Sequence, residues 1–185
     1  MKRRSLVSIV LSLPLAVSGF ACGAPVGEGE GEGEGEGEGE GEGGDADAEV
    51  LARAVAYREG GFTEVSRPFA STHAADTVKI WITTPQLAKY EGLDPINDAM
   101  VIENFPTDTI IIKQHLLEGG VGDGFTVMAK REAGYDAEHN DWWWARVDES
   151  GAAVVSGKVN FCIECHTPRT NTDYVFGIDP EDRLP

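Results

Sequence analysis

Five stretches of the chain alternate apolar and polar residues or are rich in β-branched and aromatic side chains. In residues 77–83, for example, Val78, Ile80 and Ile82 fall on one side of an extended chain. A period of two is typical of β-strands. Residues 62–70, which are interrupted by a proline, are predicted to form a loop. The pattern predicts strands at residues 77–83, 109–117, 125–131, 142–147 and 152–156.

Helical patterns are confined to short segments. Residues 47–58 have acidic residues at the start and Arg58 at the end, and two glycines follow, which is typical of a helix with a compensated dipole. A second short helix is predicted at residues 84–90, beginning with Thr84 and Pro85. The sequence therefore predicts an α+β fold, mostly β, with four or five antiparallel strands and two or three short helices.

The N-terminus carries an export signal. Three basic residues precede an apolar run from Leu6 to Val17 and then several small residues. Because this run is short for spanning a bilayer, residues 1–21 are predicted to be a secretory signal peptide. The segment resembles a bacterial lipoprotein signal, which predicts acylation of Cys22. Ordinary cleavage nearby, giving a soluble periplasmic protein, is the alternative. In both cases we expect a periplasmic location.

The segment that follows is of low complexity. Glycine and glutamate alternate between Gly27 and Gly44. Such a sequence buries no apolar surface and repels itself, so residues 22–47 are predicted to be a disordered tether. A spacer placed directly after an acylated Cys22 would hold the domain away from a membrane. Residues 48–185 are then long enough for one folded domain with a hydrophobic core.

The net charge bears on the choice of partner. Of the formal charge of −17, the eight glutamates between Gly27 and Gly44 contribute −8 and the basic residues of the signal contribute +3, which leaves −12 for residues 45–185. This charge argues against nucleic acid as a partner. It suits a basic, soluble redox partner, or it simply keeps the protein soluble.

The clearest chemical motif is the segment Cys162-Ile163-Glu164-Cys165-His166. On a short helix the two thiols share a face, so each can bond to a different vinyl group of one porphyrin, and His166 is placed to be the proximal iron ligand. The motif predicts one covalent haem c on a C-terminal attachment helix. A disulfide, a redox dithiol or half of a zinc site are the alternatives. However, no further cysteine lies nearby and no βαβ pattern accompanies the motif.

Six segments carry a resemblance when taken in order: Phe105-Pro106, 109–113, 126–130, 142–144, 156–159 with the motif that follows, and 173–177. Together they resemble the cytochrome P-460 and cytochrome c′-beta family. The resemblance covers roughly residues 71–177 and implies a β-rich, dimeric, periplasmic haem protein with five-coordinate iron. If this chain resembles the P-460 members, the resemblance implies that it oxidises hydroxylamine, can process nitric oxide and carries a lysine bonded to the porphyrin. The c′-beta members lack this bond, cap the open face with phenylalanines and bind nitric oxide.

The resemblance also suggests roles for individual residues. Lys113 is the candidate for the lysine cross-link, and Phe105 is a candidate for the open face of the haem. His115 lies two residues from Lys113 and should share its side of the strand. The other lysines considered are Lys79, Lys89 and Lys130. The candidates for a sixth ligand are His73, His115, His139, Met100 and Met128, and those for an acid or base near the iron are Glu103, Glu118 and Glu132.

Three functions remain open from the sequence. The first is a haem enzyme that acts on small nitrogen oxides, by hydroxylamine oxidation or nitric oxide handling, and passes electrons to a soluble partner. The second is a non-catalytic protein that binds nitric oxide. The third is a six-coordinate electron-transfer cytochrome, which a distal histidine or methionine ligand would produce.

Overall fold

A computed structural model describes residues 44–71 and 75–185. The predicted signal peptide, Cys22, His73 and all but the last four residues of the predicted tether lie outside these ranges. Within them, no helix combines the length and the apolar character needed to cross a bilayer.

The core of the fold is a six-stranded antiparallel sheet in which neighbours in sequence are neighbours in space. This confirms the predicted α+β, mostly β class. Two of the connections are short hairpin turns, as antiparallel pairing allows, whereas residues 84–109 join the second strand to the third and include a short helix. The strands are β1 (Phe62–Glu64), β2 (Thr77–Thr83), β3 (Ile110–Leu117), β4 (Val121–Lys130), β5 (Trp142–Val147) and β6 (Ala153–Gly157).

The prediction of a loop at residues 62–70 was wrong at its start, where β1 adds a sixth strand. Phe62 pairs with Thr83 and Glu64 pairs with Trp81 at the edge of the sheet. Three residues are too few to show an alternating pattern, and their extended conformation depends on backbone pairing with β2. The sequence around β1 therefore contains no local strand signal.

Both faces of the sheet are covered by apolar residues, and this explains the two most apolar segments of the chain. In β3, Ile110 and Ile112 pack on one face and Ile111 packs on the other. In β5, Trp143 lies on the first of these faces, whereas Trp142 and Trp144 lie on the second. All three tryptophans are buried. Alternation combined with burial on both sides produces runs that look uniformly hydrophobic.

The first face is covered by α1 (Gly44–Val55) and the turn that follows it. Tyr57 makes edge-on ring contacts with Trp81 at 5.2 Å and with Phe125 at 5.5 Å between centroids. The helix begins three residues before the predicted start at residue 47, so residues 44–47 of the predicted tether are helical. Asp47 in the first turn of α1 forms an ion pair with Arg131, which fixes the helix to the end of β4.

The second face is covered by two short helices and by the C-terminal tail. The helices are α2 (Leu87–Glu91) and α3 (Asn160–His166), which includes the Cys-x-x-Cys-His motif. A 3-10 helix, Thr167–Thr172, follows α3 and leads into a segment that returns over the sheet. The tail and α3 leave a cavity between themselves and the strands.

One glycine of β4 controls how closely β4 approaches the end of β5. Gly124 has a φ of +75°, and a Cβ atom there would lie 2.2 Å from the carbonyl oxygen of Val147. By contrast, Gly120 has a φ of +80° with open space around it. Gly122 has neither a positive φ nor a close contact. Gly124 therefore combines a backbone conformation that L-residues disfavour with a contact that leaves no room for a side chain.

We expect Gly124→Ala to lower the free energy of unfolding by about 3 kcal/mol, because it adds a backbone clash to the cost of the left-handed conformation. Gly120→Ala should cost about 1 kcal/mol and Gly122→Ala less than about 0.5 kcal/mol. Urea unfolding of the three variants measures these differences. Equal losses for Gly124→Ala and Gly120→Ala would contradict the role given to the close contact.

Candidate haem site

The Cys-x-x-Cys-His motif forms α3, and its spacing determines which side chains face the cavity. Cys162, Cys165 and His166 all line it, whereas Ile163 is buried in the hydrophobic core. Residues three or four apart share a helix face, so the helix directs the two thiols and the imidazole to one side. This is the arrangement that thioether attachment of a porphyrin requires.

The ring of His166 is held by a backbone hydrogen bond. Its Nδ1 lies 2.7 Å from the carbonyl oxygen of Tyr174. Because a carbonyl only accepts, Nδ1 carries the proton and Nε2 keeps its lone pair. Trp144 and Phe176 make edge-on contacts with the ring, with centroids 4.8 and 5.1 Å away. A metal-binding histidine commonly has its other nitrogen fixed in this way.

Burial also keeps this imidazole neutral. It lowers the pKa of His166 from 6.5 to about 4, although the hydrogen bond to Tyr174 acts in the opposite direction. Lys113 contributes a smaller lowering of the pKa through its positive charge. A neutral imidazole with a free Nε2 lone pair is the form that binds a metal ion.

The opposite wall of the cavity is the second face of the sheet. Ile111, Lys113 and His115 are alternate residues of β3, and all three line the cavity. Lys113 is paired with Thr126 on β4, and Thr126 is paired with Arg146 on β5. Because side chains across paired strands point to the same face, one row of the sheet supplies the polar groups of the wall.

The donors and charges of the cavity suit a haem. Most of its lining is apolar, as expected for a cofactor pocket. Among the described residues that line it, Lys113 and Arg146 carry the formal charges, and none is a carboxylate. The guanidinium of Arg146 suits a propionate group of a haem, while the thiols and His166 provide the attachment and ligand groups.

His115 is a second imidazole in this cavity, as its spacing from Lys113 predicted. Its pKa is lowered from 6.5 to about 4, first by burial and then by the positive charges of Lys113 and Arg146. The carboxylate of Asp123 opposes this shift only weakly. His115 is therefore neutral near pH 7 and has a ring nitrogen with a lone pair.

Of the four lysines considered for a cross-link, only Lys113 lines the cavity in the part of the chain described here. Lys79 lies 2.6 Å from a carboxylate oxygen of Glu64. Lys89 donates a hydrogen bond to the carbonyl of Asn104 at 2.8 Å. Lys130 forms a buried ion pair with Asp173, which is described below.

The other residues that the sequence suggested for the site lie partly inside and partly outside the cavity. Phe105 does not line the cavity but lies in the core, with its ring centroid 6.2 Å from that of Trp142. Phe69, Phe161 and Phe176 line the cavity instead, as does Met128. The candidates that do not line it are Met100, His139, Glu103, Glu118 and Glu132.

Two groups of the site were missed from the sequence. The first is the carbonyl of Tyr174, because a backbone oxygen leaves no residue-specific signal. The second is Asp173, which is 1 % exposed and accepts hydrogen bonds from several segments. Asp173 lies in residues 173–177, one of the segments that carry the family resemblance. However, a carboxylate in a polar tail has no local sequence pattern that indicates burial.

A helix that presents two thiols and a neutral histidine to an apolar, cation-lined cavity defines a haem protein of the cytochrome class. The family model for Cytochrome P460 matches residues 95–177, a range that includes β3 to β6, the motif and Tyr174. This match confirms the predicted resemblance to the cytochrome P460 family over residues 95–177. No curated protein and no solved structure matches the chain.

The neutral state of His115 makes the stability of the protein depend on pH. The unfolded imidazole protonates near pH 6.5, while the folded one stays neutral down to about pH 4. The unfolded state therefore binds more protons in this window, and the free energy of unfolding falls as the pH falls from 6.5 to 4. We expect His115→Gln to reduce this fall, as measured by urea unfolding of the full chain at several pH values. Because the buried His166 has a similarly lowered pKa, part of the fall should remain in the variant. The same pH dependence in both proteins would show that His115 is not one of the groups responsible.

Proposed function

We propose that this protein is a c-type cytochrome that carries one haem, bonded covalently to Cys162 and Cys165, with His166 as the proximal iron ligand. The observation that carries the proposal is a single cavity bounded by these three residues on α3 and by Lys113 and His115 on β3. The match to the cytochrome P460 family supports haem binding independently of this geometry.

We further propose that the protein acts on small nitrogen oxides, by oxidising hydroxylamine or by handling nitric oxide. A bound haem supplies an iron that binds such molecules and exchanges electrons with them. Oxidation of hydroxylamine also removes protons, so a base near the iron is needed. His115 is suited to this role because its ring is neutral and lies in the cavity. Lys113 is our candidate for the bond between the protein and the porphyrin.

Two other functions are favoured by particular observations. Phe69, Phe161 and Phe176 line the cavity and support a non-catalytic protein that binds nitric oxide on an apolar face. His115 supports a six-coordinate electron-transfer cytochrome, because a second imidazole in the cavity is a natural sixth ligand. The coordination state of the iron separates the electron carrier from the other two functions.

Location and partners complete the proposal. The N-terminal sequence supports export to the periplasm and attachment to a membrane through an acylated Cys22. The Gly/Glu segment would then act as a spacer. We also propose a homodimer and a soluble redox partner that accepts electrons from the haem. The negative charge of the folded domain favours a partner with a basic surface.

The cross-link is tested by digesting the purified holoprotein with a protease and analysing the haem-bearing peptides by mass spectrometry. We expect the peptide that contains Lys113 to stay joined to the peptide that contains Cys162 and Cys165 through the haem. Lys113→Met should release it and shift the Soret band toward shorter wavelength. Lys79→Met is the control, because Lys79 pairs with Glu64 outside the cavity. A released Lys113 peptide in the wild type would contradict the cross-link.

The activity is tested by spectroscopy and by turnover of the same holoprotein. We expect a high-spin, five-coordinate ferrous spectrum and electron transfer from hydroxylamine to an added acceptor. His115→Gln should reduce the rate by about 10²-fold or more, as expected for loss of a general base. If the wild type is low-spin and His115→Gln makes it high-spin, the electron carrier is correct. If it is five-coordinate, binds nitric oxide and has no turnover, the non-catalytic function is correct.

A further inference from the structure

The backbone that presents the hydrogen-bond acceptor to His166 has an unfavourable conformation. Asp173 has a φ of +55° and a ψ of +43°, and Tyr174 has a φ of +64°. Two successive non-glycine residues in the left-handed region are rare, and a bulky aromatic residue is a poor choice for it. Such conformations persist only where the surrounding contacts determine them, and they are common at functional sites.

The contacts that determine this turn converge on the carboxylate of Asp173. Its Oδ2 accepts a hydrogen bond from the backbone N–H of Phe105 at 2.7 Å. Lys130 Nζ lies 2.8 and 2.9 Å from the two carboxylate oxygens. Oδ1 also accepts from Asn140 Nδ2 at 3.0 Å and from Trp142 Nε1 at 3.2 Å. The side chain is fully buried, so these donors replace the water that a carboxylate would otherwise bind.

The backbone of the turn is fixed at the same point. The single N–H of Trp142 Nε1 is bifurcated, and it also donates to the backbone carbonyl oxygen of Asp173 at 2.8 Å. The N–H of Tyr174 donates to the carbonyl of Arg169 at 2.7 Å. These bonds leave the carbonyl of Tyr174 directed at His166 Nδ1, 2.7 Å away. The orientation of the imidazole is thus connected through one peptide unit to the buried carboxylate.

We propose that Asp173 is a positioning residue for His166: its buried carboxylate fixes the left-handed turn that directs the Tyr174 carbonyl at His166 Nδ1, and so holds Nε2 toward the haem. This inference rests on the proposed role of His166 as iron ligand. A carboxylate is required because it only accepts hydrogen bonds, and it has enough lone pairs for all the donors named above. An asparagine would place an NH₂ group against at least one of these donors.

The test replaces the histidine by free ligands that differ in one N–H group. In His166→Gly holoprotein, with the haem still attached to the two cysteines, added imidazole can bind the iron and donate its other N–H to the Tyr174 carbonyl. 1-Methylimidazole binds iron but has no N–H to donate. Spectroscopic titration measures the affinity of each ligand with and without Asp173→Asn. We expect Asp173→Asn to weaken imidazole about tenfold and 1-methylimidazole less than about twofold.

The effects of Asp173→Asn on the affinities of the two ligands distinguish a positioning role from a general destabilisation of the fold. Equal weakening of both ligands, or no weakening of either, would overturn the proposal. Trp143→Phe is the control, because Trp143 is buried on the opposite face of the sheet, and it should change both affinities equally. Where Asp173→Asn does not fold, Asp173→Asn combined with Lys130→Met removes both buried charges and is measured in the same way.

A separate measurement distinguishes this inference from the proposed function. If denatured wild-type holoprotein contains no covalently attached haem, the proposed function fails before Asp173 is tested. If it contains haem but His166→Gly leaves the iron coordination unchanged, the role of His166 fails. If both hold and the two ligands respond alike to Asp173→Asn, only the positioning role of Asp173 is wrong.

Discussion

The structure depends on one buried charge pair that joins the C-terminal tail to the sheet. Lys130 ends β4, and its amine bonds the carboxylate of Asp173 in the tail, with neither side chain more than 6 % exposed. Burial lowers the pKa of Lys130, and the bond to Asp173 opposes that shift. Removing one member of such a pair typically costs about 3–5 kcal/mol, because the other charge stays buried without compensation. The tail is therefore held where it closes one side of the cavity.

The position of the tail also explains how a mostly apolar sheet presents polar side chains to the cavity. The second face is filled by Trp142, Trp144 and Ile111 over much of its area, and the tail packs against them. Lys113 and His115 project from this face into the cavity that α3 and the tail leave against the strands. A shift of β3 by one residue would move these side chains to the α1 face. Correct strand register is thus a condition for the site as well as for the core.

Local patterns were sufficient to predict most of the sheet and one wall of the site. Alternation predicted β2 and β5 with their observed bounds, and it predicted that the central tryptophan faces away from its neighbours. It also predicted that Lys113 and His115 share a side. Two strand residues two positions apart have this relation whatever the rest of the fold does.

The other features of the site depend on contacts between residues that are far apart in the sequence. No local signal separates Lys113 from Lys79 or Lys130, because each lysine lies on a strand and its surroundings depend on the elements packed against that strand. Phe105 was a candidate for the open face, but its backbone is bonded to Asp173, 68 residues away, and its ring lies in the core. The acceptor for His166 is a carbonyl whose direction depends on that same carboxylate. Sequence therefore predicts candidate groups for the site, while the tertiary structure determines how they are oriented, and in this protein that orientation depends on the burial of Asp173.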